Sequence, residues 1–329
     1  MMVQSYLPCL TRTYLTALNW PSPDASYLQM KQKRFQVYGL GQCCLDYIGK
    51  VDSYPPPDVK CEFTDMVMEG GGPVATALVA LARWGVSCTF VGLLGDDQFG
   101  SIIQGTLEQE GVDTSGVVMR EGSASQFAFI LAEPGVGRRT IFWRRPTGAP
   151  LSPEELDFST IRQVEVLHTD GFFMETSLAA AKAARKAGVR VVVDAGSFRE
   201  GMLDLAQVSD CFLASETFSD GLVGKGKPLD ACRKLAEFGP SIIGITLGAR
   251  GYVALAGDRI IERPAYQVDA VDTTGCGDVF HAGFTYGLIK GWKVDKCLDF
   301  AAWAAAEVSL ELGGRAGIPP LGLIRNKGW

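Results

Sequence analysis

The sequence predicts an α/β protein built on a doubly wound, mostly parallel sheet with a small antiparallel β lid, and three observations carry that expectation. First, from Phe35 onward short apolar runs alternate with helical stretches, the pattern of βαβ units that feed a parallel sheet. Second, the unit recurs: residues 75–84 lead into 88–94, and residues 229–238 lead into 242–247. The clearest copy lies mid-chain, where the Ala-rich stretch 178–186 is closed by Gly188 as a C-cap and followed by the buried-strand run 189–193, ending in Asp194. Third, segments 45–68 and 124–144 break the rhythm with period-two alternation, as in Phe127, Phe129 and Leu131 ahead of a Gly135–Gly137 turn.

Those two segments read as antiparallel strands. A βαβ stretch separates them in sequence, so the simplest arrangement has both leaving the main sheet and pairing as a lid over its edge. Ligands of open α/β sheets bind at the carboxyl ends of the strands, where a lid would exclude water from a reactive phosphate. The domain is expected over residues 35–329. Residues 1–34 are polar and aromatic-rich, broken by Pro21 and Pro23, and are expected to form an irregular N-terminal extension, with Met30 as a plausible start.

Totals narrow the function class. A net charge of -6 argues against a nucleic-acid surface, which needs clustered Lys and Arg. No stretch reaches the roughly 18 apolar residues of a membrane span, and no membrane partner is expected. Nine cysteines form no CxxC pair, which argues against a disulfide framework or zinc site and fits a reducing, cytoplasmic location. His168 and His281 are the only histidines; nothing in the sequence places them together, and both are read as packing residues.

Two phosphate-loop lookalikes fall away. In Gly39-Leu40-Gly41-Gln42-Cys43-Cys44, Cys44 stands where a third Gly must allow close helix packing, so the run reads as a strand end. In the stretch from Gly221 to Pro228, Pro228 replaces the hydroxyl residue that would hold magnesium, and the stretch reads as a surface loop before a helix.

The string Asp272-Thr273-Thr274-Gly275-Cys276-Gly277-Asp278 is different, because an apolar helical run follows it directly. N–H groups at a helix N-terminus are unpaired and carry the positive end of the macrodipole, so Gly275, Cys276 and Gly277 can form an anion hole for phosphoryl oxygens. Asp278, inside the first turn, could accept the proton of an attacking hydroxyl. An ordinary N-cap is the bland alternative. Cys276, a thiol at a helix N-terminus, could also be reactive.

This string, with Phe280, Ala282 and Gly283, resembles the C-terminal signature of the ribokinase-like (PfkB-type) carbohydrate kinases. Gly70-Gly71-Gly72-Pro73 with Ala77, Gly85, Gly95-Asp96-Asp97 and Gly100 resembles their N-terminal signature, and Thr246-Leu247-Gly248 with Gly251 resembles their nucleotide-side loop. The likeness runs from about Phe35 to Pro319. It implies a lidded sheet, ATP with Mg2+ as donor, a small-molecule sugar as acceptor and Asp278 as general base. It further implies acceptor contacts from Asp46, Gly71 and Gly72, a nucleotide side at Ser215, Thr246, Gly248 and Gly251, and a homodimer through the lid as one assembly.

The departures bear on substrate and metal. Ala75 stands where the family commonly has Asn, and Ser215-Glu216-Thr217-Phe218 replaces its NxxE element, leaving Glu216 as the substitute metal carboxylate. The runs 70–77 and 313–319, together with His281, look most like the branch containing sulfofructose kinase, which implies an acidic sugar. Arg138, Arg139, Arg144 and Arg145 bracket a lid strand and could supply guanidinium donors, Arg144 and Arg145 foremost. Two alternatives stay open: a nucleoside kinase with an aromatic slot at the lid, and an inactive binding module that kept the fold.

Overall fold

The computed structural model describes residues 35–133 and 138–329. The extension expected over 1–34, the Met30 start and the Gly135–Gly137 turn lie outside the described residues.

Six parallel strands form the body of the main sheet, in the spatial order β12 (Ile242–Thr246), β11 (Cys211–Ser215), β10 (Arg190–Ala195), β9 (Val166–Thr169), β1 (Val37–Leu40) and β4 (Cys88–Val91). Antiparallel β13 (Tyr252–Ala256) and β14 (Arg259–Arg263) extend the β12 edge. Each parallel strand is apolar on both sides because it feeds two cores. Val37, Phe90, Val166, Val192 and Leu213 pack with one set of helices, while Tyr38, Leu40, Leu167, Val193 and Phe212 pack with another.

The first set comprises α1 (Pro73–Arg83), α2 (Gln98–Gln109), α8 (Cys276–Ile289), α9 (Val294–Val308) and α10 (Leu321–Asn326). The second comprises α3 (Phe158–Ile161), α4 (Met174–Lys186), α5 (Met202–Gln207), α6 (Glu216–Val223) and α7 (Pro228–Ala236). The expected helix-cap-strand unit is present as α4 and β10, and Gly188 has the left-handed φ of 76° that suits a residue just past a helix end. The stretch from Gly221 to Pro228 corrects its expectation in part. The Ser215 hydroxyl accepts from Phe218 N–H and starts α6, which runs through Gly221; only residues 224–227 are loop before Pro228 opens α7.

The lid is a second sheet, ordered β3 (Asp65–Gly71), β2 (Cys44–Lys50), β7 (Phe127–Glu133), β8 (Arg138–Arg144). A small parallel pair, β5 (Leu93–Gly95) with β6 (Val118–Arg120), lies between the two excursions in sequence. The strands within each excursion are antiparallel as expected, but β2 and β7, which join the two, run parallel. The reason lies at their roots: Leu45 N–H bonds Gln126 O, so both strands leave the body from the same side and in the same direction. Asp97 fixes that root, accepting from Ser125 N–H and hydroxyl while it N-caps α2 through Gly100 N–H. The face of the lid carrying Ile48, Ala128 and Ile130 packs on Leu312 and Val271 of the body, and Asp46 shares that face. The opposite face exposes Met66, Met68, Phe129 and Phe142.

Candidate active site

Asp272 shapes the loop ahead of α8. Its buried carboxylate accepts from Thr274 N–H and hydroxyl, both at 2.9 Å, and from Gly313 N–H at 3.0 Å. Gly275 then turns the chain at φ 74°, and a Cβ there would come within 2.6 Å of Gly314 Cα, so glycine is required twice over. The first bond of α8 runs from Val279 N–H to Gly275 O at 2.8 Å, which places the N–H groups of Gly277 and Asp278 ahead of the helical ladder. Gly277 is exposed and Asp278 half-buried.

Burial and the nearby Asp194 charge push the Asp278 carboxyl up to about 7, while His281 and Arg139 pull the other way. A carboxylate poised near neutrality suits a general base. Burial also pushes the Cys276 thiol up to about 12. It is therefore a protonated packing group at neutral pH, which corrects the expectation of a reactive thiolate.

On the lid, Asp46 is 6% exposed, accepts from Cys44 Sγ at 2.8 Å and lies so close to Gly71 that a Cβ there would overlap its carboxylate. Burial raises its pKa. Gly72 caps α1 with φ 95°, and Ala75 is wholly buried in the α1 side of the core. Register decides the arginines. Trp143 lies opposite Ala128 on the body-facing side, so Arg144 lies with Phe127 and Phe129 on the outer side. Arg145 stacks over Trp143 at 4.9 Å and Phe172 at 5.4 Å. Arg139, of the same parity as Trp143, donates to the Thr273 hydroxyl at 2.6 Å and thereby reaches the anion loop.

At the carboxyl ends of β11 and β12, Ser215 donates to Gly196 O at 2.7 Å and Thr246 to Ala214 O at 3.3 Å. Gly248 and Gly251 flank a single helical turn closed by Leu247 N–H to Gly251 O. Glu216 pairs with Arg250 of that turn, and Phe218 is wholly buried against Phe198 and Phe212.

The profile of pfkB family carbohydrate kinases matches residues 35–320. The chain belongs to the pfkB family. It is thus a carbohydrate kinase, a phosphotransferase with an alcohol acceptor, in a ribokinase-like α/β fold. An ATP-dependent ribose-1-phosphate kinase from Halopiger xanaduensis is 28% identical over 85% of this chain and 94% of its own length. A 5-dehydro-2-deoxygluconokinase from Shouchella clausii is 26% identical over 89% of this chain and 95% of its own. The structure of Arabidopsis thaliana ribokinase complexed with ribose and ATP superposes with a TM-score of 0.74 at 23% identity, covering 89% of this chain and 98% of the other.

Several groups of this pfkB-family kinase site escaped the sequence. Gln42 N–H donates to Asp170 at 2.9 Å and Gln126 to Gln42 at 3.3 Å, a polar cluster that bridges the end of β1, the end of β9 and the lid. Glu69 accepts from Gly314 and Arg315 N–H, tying the root of the lid to the loop that backs Gly275. The Arg315 guanidinium lies buried beneath Gly70. The two histidine rings, which nothing in the sequence places together, stand 6.3 Å apart in the fold. His168 fits its packing role, with neither ring nitrogen hydrogen-bonded, whereas His281 touches the anion loop. The sequence signals near these groups were the runs 70–77 and 313–319 with His281; the contacts of Gln42, Asp170, Gln126 and Glu69 join residues far apart in the chain.

Proposed function

We propose that this kinase transfers the γ-phosphoryl group of ATP to a hydroxyl of a small sugar or sugar acid. The observation that carries the reading is the Asp278 carboxyl in the first turn of α8, beside the Gly277 and Asp278 N–H groups that precede the helical ladder, with burial and the nearby Asp194 charge raising its pKa. As the acceptor oxygen bonds to phosphorus and the bridging oxygen leaves with ADP, Asp278 takes the hydroxyl proton. The N–H groups of Gly277 and Asp278, with the Arg139 guanidinium, stabilise charge on the transferring oxygens. Asp46 and the glycines at 71 and 72 hold the acceptor, and the turn at 248–251 with Ser215 and Thr246 flanks the nucleotide.

No group of three or more His, Cys, Asp or Glu that could hold a metal occurs among the described residues. Magnesium carried in on nucleotide phosphates needs only one or two carboxylates; Glu216 is the candidate, and it would have to release Arg250 to hold the ion. Bound there, the ion would neutralise phosphate charge.

An acidic acceptor is the favoured class. Ala75 is buried and has no polar group to offer, Arg145 is the guanidinium beside Trp143 at the body-facing end of the lid, and one relative is named for a phosphorylated sugar. Trp143, exposed beside Arg145, favours a nucleoside kinase as the second reading, since a base could stack on it. ATP consumption across ketoses, aldoses, acidic sugars and nucleosides separates them. An acidic sugar should exceed its neutral analogue in kcat/KM by about 10- to 150-fold, the worth of a hydrogen bond to a charged group, and Arg145→Ala should erase that margin. Faster turnover of neutral ketoses or nucleosides, unaffected by Arg145→Ala, would discard the acidic class.

A further inference from the structure

His281 stands one turn beyond the anion loop on α8, and its ring is 3% exposed. Its Nδ1 lies 2.6 Å from Gly277 O, its Nε2 lies 3.1 Å from Leu213 O on β11, and Nδ1 lies 3.3 Å from Asp194 Oδ2 on β10. Gly277 O can only accept, so the 2.6 Å contact is a hydrogen bond donated by Nδ1–H. The grip on Gly277 O has a particular consequence. A peptide unit is planar, with its C=O and N–H pointing in opposite directions. The unit that begins with Gly277 C=O ends with Asp278 N–H; the α8 ladder already directs that oxygen along the helix, and the imidazole adds a second hold from the sheet side, while hydrogen bonding at one end polarises the other.

We infer that His281 is a positioning residue: it clamps the Gly277–Asp278 peptide to the parallel sheet and so aims the Asp278 N–H and side chain at the reacting phosphoryl group. The inference rests on the reading of Asp278 as the base. It also accounts for Asp194, whose Oδ2 has no hydrogen-bond partner of normal geometry and leans on the His281 ring. The charged and titratable groups around the ring are Asp194 from β10, His168 from β9 at 6.3 Å between ring centres, and Asp278 on its own helix. Arg199 acts on Asp194, and Arg139 of the lid acts on Asp278.

The two ring nitrogens can be separated by substitution. In His281→Asn the amide nitrogen occupies the Nδ1 position and keeps the bond to Gly277; in His281→Gln it occupies the Nε2 position and keeps only the bond to Leu213. Both variants and His281→Phe are compared with the full-length chain, using ATP and whichever sugar of the acceptor panel has the highest kcat/KM. Thermal unfolding is recorded for each. His281→Phe and His281→Gln should lose kcat by about 10- to 100-fold, somewhat below the 10²–10³ of a deleted oxyanion donor because the N–H itself remains. KM for ATP and sugar should stay within about twofold, and His281→Asn should recover most of kcat. His281→Phe should also move the acidic limb of the kcat/KM profile to higher pH, since it removes the group that lowers Asp278 while Asp194 stays. Equal losses in Asn and Gln that follow the unfolding temperature would reduce His281 to a structural role and overturn the inference, as would kcat and limb unchanged in Phe. Asp278→Asn run alongside separates the two claims: if it retains activity, the base assignment fails; if it is dead while His281 variants are unaltered, only the clamp fails.

Discussion

The proposed role of Asp278 separates into two testable contributions, one to rate and one to stability. Asp278→Asn should lower kcat by about 10²–10⁴-fold, the usual worth of general-base catalysis, with the fold and ATP binding retained. Retention of more than about a tenth of kcat is incompatible with a base at this position. The wild-type rate should fall as pH drops below about 7, because the base must be deprotonated. Stability runs in the other direction. The carboxyl is raised in the fold, so it costs nothing below the ordinary Asp range, where both states are protonated, and costs most above about 7, where the folded chain carries a disfavoured charge. Asp278→Asn should therefore unfold at a higher temperature than the wild type at pH 8 and show little difference near pH 4; a gain of equal size at both would contradict that burial. Arg139→Ala should lower kcat by about 10- to 150-fold, the scale of a hydrogen bond to a charged group, whereas Arg144→Ala, on the outer face, should leave kcat within about twofold. The loop and helix start that carry Asp278 were legible in the sequence because glycines, helix start and carboxylate are contiguous. The lid arginine was not. Alternation tells that Arg139 and Arg144 lie on opposite faces, but which face looks inward depends on the pairing of β8 through β7 to Asp46 on β2.

Among elements, the lid departs most from what its own sequence could say. Period-two alternation identified both excursions, yet a strand pattern carries no record of its partner's direction, and the parallel joint between β2 and β7 comes from roots set by Asp97 and Ser125. Helix α6 gives the same lesson: the start of a stretch read as loop, from Gly221 to Val223, is the last turn of a helix that Ser215 caps, and only 224–227 are loop. The outer lid face, with Met66, Met68, Phe129 and Phe142 exposed, is an apolar surface of the kind that marks association. We propose that two copies pair through it. Sedimentation of the wild type should then show a dimer, and Phe129→Glu, which plants a charge in that face, should shift it to monomer; a monomeric wild type at micromolar concentration would remove the proposal.

At the scale of the molecule, the doubly wound body was legible because every parallel strand serves two cores and so reads as an unbroken apolar run. The acceptor was not legible, because Ala75 gives its whole side chain to the core and the polar groups near the lid root, Gln42, Asp170 and Gln126, are brought together from three separate regions. Among the described residues, 35–329 form one compact unit. A chain beginning at Met30 should keep its unfolding temperature and kinase activity, and loss of either would make the preceding residues part of the working domain. The loop at 313–315 carries an implication for exchange between relatives. It accepts the weight of Gly275 on one side and is bonded by Glu69 on the other, across a separation of 245 residues. Recombination that transplants the lid strands without the 313–315 loop would pair a foreign Glu69 position with a native backrest for the Gly275 turn, so the two distant segments constrain one another and should be inherited as a unit.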